Sequence, residues 1–420
     1  MDNYRAVPLD ARDTQPLGVD ELPTLKTRTV ATPAAPTAPP REPLSIPTSV
    51  ARKPRIPAPR IISTVAALVL LVLVNLLIQL NRRTWDIRSD GYWSLQRVQQ
   101  CESLGRSPDV LFLGSSRVVY GINANLIDTL VQQQTGSQIV SCNAGMFGST
   151  FEQDYYTFKR FIEDGDVPKV LVEDLREYNL NANSSDPADN SGLAFAGTLP
   201  LADISDLSTL GAHYGSGLPR FLASADFVAG KLIPMYGDRI GLYEAVCGGS
   251  HVGPCGADLP NAGALAISRY QQADAHGWVA LNGISIATLT PAQVKIRAAE
   301  LREFEGGEVQ NFAIGGQQPS FLARMIALAK AHGVRVALVV SPLHPTFFTL
   351  FDHPTDWPMI LSYWSTFAQA HGVAFFNESR PAGFTDADWY DAEHLDAAGA
   401  DKRAQLLAQT VVEPLLAGSA

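Results

Sequence analysis

Short apolar runs alternate with longer helical patterns from residue 109 onwards, and this alternation constrains the fold more than any other feature. Strands are predicted at 109–113, 138–143, 169–175, 334–341 and 373–377. Helices are predicted near 123–134, 150–164, 319–333 and 355–371, with a last one from Asp396. Strands joined by helices pair in parallel and carry helices on their faces. The sequence therefore predicts an α/β domain with a parallel sheet.

A long stretch between the third and fourth strands interrupts this pattern. Residues 180–316 are rich in Gly, Ser, Asn and Asp, and one clear helix stands out in them, "TPAQVKIRAAELREFEG". A segment of this length is too long for a loop in a compact domain. We expect an insertion or lid that shapes a substrate cleft.

The chain before residue 109 has a different composition. Residues 1–60 hold 12 of the 28 prolines and no aromatic residue beyond Tyr4, which predicts a disordered tail. The next 21 residues, 61–81, carry no charge, and as a helix they would span roughly 30 Å, the thickness of a bilayer core. We expect an uncleaved transmembrane helix there, with a buried core helix as the alternative, and a connector over 82–108.

Charge indicates which side of a membrane each part would occupy. Arginine and lysine flank both ends of the run, and the positive-inside rule favours a cytoplasmic N-terminus. Residues 82–420, with a net charge of -13, would then form a periplasmic or extracellular domain. An acidic domain argues against nucleic acid as a partner.

The cysteines leave two questions open. Cys247 and Cys255 bracket "GGSHVGP", which favours a small disulfide ring. His251 lies between them, so a metal site is the alternative, although a fourth ligand is missing. Cys101 and Cys142 either pair or stay free.

The first strand ends on polar residues in "DVLFLGSSRVVYG". Ligand crevices of open α/β sheets lie beyond the carboxyl ends of strands, which is where Ser115 and Ser116 follow Gly114. A serine at this point is either a nucleophile or the N-cap of the next helix.

A second polar cluster, "FTDADWYDAEHLDAAGA", precedes the last helix. Asp391 and His394 are separated by two residues, a spacing at which a carboxylate can accept the imidazole N–H and fix its tautomer. The other ring nitrogen would then be free to act as a base. Because this cluster follows the last strand, we expect it at the same sheet edge as Ser116.

Three stretches together carry a family resemblance. "LFLGSSR", "CNAGMFGST" and "DAEHLDAAG" resemble blocks one, two and five of the SGNH (GDSL-like) hydrolase superfamily, across residues 109–418 and interrupted by the insertion. The Gly-Ser-Ser-Arg form is similar to a membrane-linked branch that includes cell-surface polysaccharide acetylation proteins and D-alanyl transfer proteins. The resemblance implies a flavodoxin-like three-layer domain with a parallel sheet.

The resemblance also implies roles for individual residues. Ser116 would be the nucleophile, His394 its base and Asp391 the residue that orients the base. The oxyanion hole would consist of the backbone N–H groups of Ser116 and Gly148, with Gly145 as the rival donor. This chemistry requires no metal and no organic cofactor.

The chain departs from the family in the third block. The asparagine that donates to the oxyanion is absent, and "VEDLREYN" stands at the end of the third strand. Arg176 or Asn179 is a candidate replacement, and Arg176 is equally a structural partner for Glu173 or Asp174.

Two further residues carry alternative roles. Arg117 is expected either to bind a substrate carboxylate or carbohydrate or to pair with the acidic "EDL". His344 is expected either to bind substrate or to cap its own loop.

These residues lead to one expected function and one alternative. The expected function is a membrane-anchored extracytoplasmic serine O-acyltransferase or esterase acting on acyl groups, acetyl foremost, of an envelope polysaccharide. Its partners would be that polymer and a membrane acyltransferase or polysaccharide synthesis complex. The alternative is a catalytically inactive binding or assembly component of an exopolysaccharide pathway, and D-alanyl transfer is a third possibility.

Overall fold

The computed structural model describes residues 58–81, 93–184, 272–283, 285–304 and 306–418, together with a few positions between 199 and 236. The chain divides into two units, residues 1–74 and 75–420. The predicted tail up to residue 57, part of the connector and the predicted Cys247–Cys255 disulfide lie outside the described residues.

Five strands of the described residues form one parallel sheet. They are β1 (Val110–Leu113), β2 (Ser141–Asn143), β3 (Val170–Asp174), β4 (Arg335–Val340) and β5 (Ala374–Asn377). Their order is β2-β1-β3-β4-β5, and every neighbouring pair runs parallel. This is the doubly wound order of flavodoxin-like sheets, so the predicted α/β class and parallel sheet are confirmed.

The helices that flank the sheet follow the predicted pattern, with bounds shifted by at most two residues where both ends were predicted. In chain order the described α-helices are α1 (Ala58–Asn81), α2 (Trp93–Glu102), α3 (Ser116–Gly121), α4 (Ala124–Thr135), α5 (Phe151–Asp164), α6 (Pro291–Phe304), α7 (Gly306–Val309), α8 (Gln318–Ala331), α9 (Asp356–Ala370), α10 (Ala397–Leu407) and α11 (Glu413–Ala417). A π-helical turn, Ala408–Val412, joins the last two.

The two faces of the sheet are covered by different helices because strand side chains alternate. In β1, Leu111 and Leu113 belong to the core formed with α5, α8 and α9. Val110 and Phe112 belong to the opposite core, formed with α4 and α10. The result is three layers, with the carboxyl ends of the strands at one edge of the sheet.

The uncharged run lies in α1. This helix has 24 residues and begins at Ala58, three residues before the predicted start. Pro59 is tolerated in the first turn because the N–H groups there have no intrahelical acceptor. Taking only the residues that the structure describes, none of the helices has the length and apolar character to cross a membrane. The anchor stays a prediction.

A disulfide joins Cys101 of α2 to Cys142 of β2, with a Cα–Cα distance of 5.7 Å. The sequence left this pair open. The bond ties the helix before β1 to the edge strand of the sheet.

The end of the predicted insertion is built into the domain. Residues 272–283, called the returning segment below, run from the edge of β2 across α3. The N–H of Asn143 donates to the carbonyl of His276 (2.8 Å), and the N–H of Val279 donates to the carbonyl of Val119 (3.1 Å). The indole N–H of Trp278 donates to the carbonyl of Tyr120 (2.7 Å). This segment therefore packs against the C-terminal half of α3.

Candidate active site

The turn after β1 presents one serine to solvent and uses the other as a cap. Gly114 has φ 147°, and a Cβ on it would lie 2.5 Å from Val118 Cγ2 and 2.7 Å from Asp174 Cβ, so a larger residue does not fit. Ser115 is the N-cap of α3, and its hydroxyl accepts from the N–H of Arg117 (3.4 Å). Ser116 is the first residue of α3, so the capping and nucleophile roles fall on different serines.

Ser116, His394 and Asp391 form a continuous chain of hydrogen bonds. The Ser116 Oγ lies 2.8 Å from His394 Nε2. On the other side of the ring, His394 Nδ1 lies 2.8 Å and 3.0 Å from the two carboxylate oxygens of Asp391. The structure thus brings together three side chains, of which Ser116 and His394 are 278 residues apart in the sequence.

The carboxylate determines which nitrogen of His394 carries the proton. Burial alone would raise the pKa of Asp391, but His394 and the hydrogen bonds that the carboxylate accepts hold that pKa below its ordinary value. Asp391 is therefore an anion that only accepts, and Nδ1 must donate to it. Nε2 is left to accept the Ser116 hydroxyl, as a general base requires.

The turn that carries Asp391 and His394 is held locally. One oxygen of Asp391 accepts from the N–H groups of Glu393 and His394, both at 2.8 Å. The N–H of Tyr390 donates to the carbonyl of His394 (2.9 Å). The edge of the His394 ring packs against the Tyr120 ring, with centroids 5.3 Å apart. These bonds fix the carboxylate and the imidazole relative to each other.

Two N–H groups are suited to bind an oxyanion. Ser116 begins a helix, where the first N–H groups have no intrahelical acceptor. Gly148 has φ 60°, a conformation that favours glycine, and none of the described residues accepts its N–H. The rival Gly145 differs, because its N–H donates to Asn143 Oδ1 (3.1 Å). Of the two glycines, Gly148 is the one with a donor to offer.

Asn143 is a supporting residue that the sequence analysis did not single out. Its side-chain amide donates to the carbonyls of Val118 (2.7 Å) and Ile122 (2.9 Å), at the end of α3. Its oxygen accepts from Gly145. Asn143 thereby links α3 to the loop that carries Gly148. An asparagine ending a short strand was the available signal.

Arg176 is fully buried and away from any open surface. Its guanidinium pairs with Asp154 and, at 3.0 Å, with Glu173. It also donates to the carbonyl of Ser149 at 2.9 Å, and its guanidinium lies over the Phe151 ring. The expectation that Arg176 contacts substrate is thus corrected: all of these contacts are internal, and the alternative partner Glu173 is the observed one.

Asn179 carries a buried side-chain amide. Its side chain is 3% exposed, and neither amide atom bonds to a described residue. It lies in the turn in which the N–H of Leu180 donates to the carbonyl of Glu177 (2.8 Å). The hydroxyl of its neighbour Tyr178 donates to the carbonyl of Ser149 (2.7 Å), and Ser149 follows Gly148 in the chain. A buried amide without a partner is unusual and costs stability unless a ligand satisfies it.

Arg117 is also buried, and its partners differ from both expected ones. The guanidinium forms a two-bond fork with Glu177 (2.9 and 2.6 Å) and an ion pair with Glu393 (3.2 Å). Burial would lower the pKa of Arg117, but these two carboxylates raise it well above its usual value. The expectation of substrate contact is corrected, because both bonded acids belong to the protein. The expected pairing with "EDL" holds only in part: the charge of Asp174 adds to the raised pKa, but the bonded carboxylates lie outside that triplet.

His344 caps its own loop and braces the turn of Asp391. Its side chain is 8% exposed, and Nδ1 lies 2.8 Å from the hydroxyl of Thr346 while Nε2 lies 3.2 Å from Asp386. Its backbone N–H donates to the carbonyl of Ala392 (3.0 Å). Of the two roles expected for His344, these contacts favour the local one.

No group of three or more His, Cys, Asp or Glu side chains in the described part of the chain is arranged to hold a metal ion.

No family model matches the chain, and no curated protein matches it. Solved structures similar to it include a lipase/acylhydrolase from Enterococcus faecalis (12% identity, 72% of this chain and 94% of that one, TM-score 0.30). A second is a putative acylhydrolase from Bacteroides fragilis (14% identity, 77% of this chain and 98% of that one, TM-score 0.32). A third is a GDSL-like lipase from Bacteroides thetaiotaomicron (12% identity, 76% of this chain and 97% of that one, TM-score 0.31). At these identities and TM-scores, the similarity says nothing about substrate.

Proposed function

We propose that this chain is a serine esterase or O-acyltransferase of the SGNH type, acting on acyl groups, acetyl foremost, of an envelope polysaccharide. The observation that carries the proposal is the chain of hydrogen bonds from Ser116 through His394 to Asp391. A serine that donates to an oriented neutral imidazole is the arrangement that activates a hydroxyl for attack on an ester.

In the first step, Ser116 Oγ attacks the acyl carbonyl carbon and its proton passes to His394 Nε2. The carbonyl oxygen becomes an oxyanion, which the N–H groups of Ser116 and Gly148 stabilise, with the amide of Asn179 as a third donor. Donors of this kind are worth about 10²–10³-fold in rate each. His394 then returns the proton to the leaving alcohol oxygen, and the acyl group remains on Ser116.

In the second step, His394 removes the proton of an incoming hydroxyl, whose oxygen attacks the acyl-enzyme carbonyl. Collapse of the second oxyanion releases Ser116, which recovers its proton from His394. Water as the acceptor gives the free acid, and a sugar hydroxyl gives a new ester. Both acceptors use the same residues, so the residues themselves support hydrolysis and transfer equally.

The cellular placement is a separate part of the proposal. We infer that residues 82–420 act outside the cytoplasm, anchored by residues 61–81, and meet the polymer with a membrane acyltransferase or synthesis complex. Support comes from the uncharged run and from the Cys101–Cys142 disulfide, since disulfides persist in oxidising compartments. The full-length chain should stay with membranes after alkaline carbonate extraction, and its appearance in the supernatant contradicts the anchor.

The catalytic proposal is tested by intact mass spectrometry of the full-length chain in detergent after exposure to a fluorophosphonate. We expect a single adduct, which Ser116→Ala and His394→Ala abolish. Ser115→Ala is the matched control, because it removes the neighbouring hydroxyl, which caps α3, and should keep the adduct. A folded protein that forms no adduct contradicts the enzymatic proposal and favours the binding or assembly role.

A further inference from the structure

Arg117 and Glu393 occupy matching places in the two halves of the candidate site. Arg117 immediately follows Ser116, and Glu393 immediately precedes His394. Their side chains form an ion pair, with Arg117 Nη2 3.2 Å from Glu393 Oε1. The pair therefore joins the residue next to the nucleophile to the residue next to the base.

The ion pair is buried and its geometry is constrained. The side chains of Arg117 and Glu393 are 2% and 8% exposed. Glu177, whose side chain is 0% exposed, holds the other face of the guanidinium through the two-bond fork. The Phe347 ring lies 5.1 Å from the guanidinium carbon. A planar guanidinium held by a bidentate carboxylate has one orientation. The same Nη2 that donates to Glu177 faces Glu393 Oε1 as an ion pair, without an aligned hydrogen bond.

The backbone of Arg117 is held as well. Its carbonyl accepts from Arg403 Nη1 (3.4 Å), and Arg403 in turn contacts Glu378 at 3.2 Å and Asp174 at 3.9 Å. Asp174 ends β3, beside the turn after β1. Arg117 is thus fixed to the sheet edge, and its guanidinium is a firm point against which the turn of His394 can be placed.

Stability alone is a weak reason for such a cluster. Burying ions carries a desolvation penalty that their attraction often fails to exceed, so a buried ion pair is weak evidence of a stabilising role. The bonds inside the turn from Asp391 to His394 fix the imidazole to Asp391, but none of them reaches Ser116. Contacts that span the two halves of the site set the Ser116–His394 distance, and the Arg117–Glu393 pair is one of them, beside the packing of Tyr120 against His394.

We propose that Arg117 is a positioning residue that holds His394 Nε2 within hydrogen-bond distance of Ser116 Oγ by clamping Glu393, with Glu177 orienting the clamp. This inference rests on the proposed serine chemistry and goes beyond it. Arg117 touches neither the substrate nor the reacting atoms. It acts because a displacement of about 1 Å between nucleophile and base lowers the rate by about 10²-fold.

The test compares full-length Arg117→Met, Arg117→Lys and Glu393→Gln with the wild type, using hydrolysis of a simple acetyl ester and the rate of fluorophosphonate labelling. We expect kcat and the labelling rate to fall about 10²-fold in Arg117→Met and less in Glu393→Gln, with KM changed less than threefold. Arg117→Lys should be intermediate, because an ammonium keeps the charge but not the fork.

The control is Asp109→Asn, which breaks a partly buried ion pair with Lys169 (2.9 Å) at the start of β1. It should lower stability and leave kcat unchanged. Thermal unfolding identifies any variant that does not fold. If Arg117→Met does not fold, the inference is judged on Glu393→Gln, which is the mildest change.

Two results overturn the inference while leaving the proposed function intact. One is a folded Arg117→Met or Glu393→Gln variant that labels at the wild-type rate. The other is a loss confined to KM, which would make Arg117 a substrate-binding residue. If the wild type itself is not labelled, the proposed function fails instead.

Discussion

The two edges of the sheet hold charge in different ways. At the amino edge, Asp109 pairs with Arg106 and Lys169, whose side chains are 50% and 65% exposed. At the carboxyl edge, Arg117 pairs with Glu177 and Glu393, and all three side chains are almost fully buried. Exposed pairs form and break at little cost, whereas buried ones are expensive unless every partner is present.

This contrast indicates where the domain depends on exact geometry. At the amino edge the basic partners of Asp109 are exposed to solvent and lie away from Ser116, so changes there should affect stability and leave chemistry alone. The carboxyl edge contains fixed charge next to Ser116, so changes there should affect the reaction first. Three variants test this division, in order of decreasing effect.

The largest effect is expected at the carboxyl edge, from Asp391→Asn. An amide cannot hold the imidazole in the required tautomer, so kcat should fall on the order of 10³-fold or more, while the unfolding free energy changes by less than about 1 kcal/mol. Acetyl-ester kinetics and urea denaturation measure the two quantities. Asp386→Asn is the control, since Asp386 is an exposed acid that contacts His344 instead. An equal loss of kcat in both variants would show that the effect does not depend on contact with His394.

The next effect is expected on the β2 side of the sheet, from joint replacement of Cys101 and Cys142 by alanine. The disulfide closes a loop of 41 residues, and its removal should lower the unfolding free energy by about 4 kcal/mol through the chain entropy of the unfolded state. The folded fraction should retain its kcat. A large loss of kcat in protein that circular dichroism shows to be folded would mean that this side of the sheet also controls the site.

The smallest effect is expected at Asp128, which accepts from the N–H of Ser141 (2.9 Å) at the start of β2. Burial raises its pKa to about 6, against 3.8 for an ordinary aspartate, although Ser141 and His276 oppose the rise. The native state therefore binds more protons than the unfolded state between these values. The contribution of the Asp128 carboxyl to the free energy of unfolding is lost as the pH rises from about 4 to 6, and the loss amounts to up to about 3 kcal/mol.

Asp128→Asn should remove this dependence, and urea denaturation at several pH values measures it. Asp109→Asn is the control, because the pKa of Asp109 is shifted in the opposite direction. Burial would raise the pKa of Asp109, but Lys169, Val140 and Arg106 lower it, so its contribution is present at neutral pH and lost on acidification. If Asp128→Asn leaves the pH profile unchanged, its carboxyl is already ionised in the native state.

Much of this fold was predictable because its signals are local. Each strand is a short apolar run, and each is present in the sheet within a few residues of its predicted bounds. The spacing of Asp391 and His394 is local too, and a glycine turn after a buried strand indicates the place of Ser116. Topology then brings the carboxyl ends of the strands to one edge.

The partners of Arg117 and Arg176 were not predictable in the same way. Arg117 and Glu177 are 60 residues apart, and their contact depends on β3 lying beside β1. The sequence shows that an arginine follows a strand, but not whether its side chain turns outward to substrate or inward to acids. The Cys101–Cys142 bond was open for the same reason, since it depends on the packing of α2 against β2.

The returning segment has a practical consequence for anyone shortening this chain. Its residues supply hydrogen-bond acceptors or donors to the end of β2, to α3 and, through the carbonyl of Leu281, to the start of α10 (3.0 Å from Ala397). An internal deletion within the insertion that ends before residue 272 leaves all of these bonds in place. An internal deletion that continues to residue 283 removes these hydrogen bonds from all three stretches that carry the candidate site. The C-terminal end of such a deletion therefore belongs before residue 272.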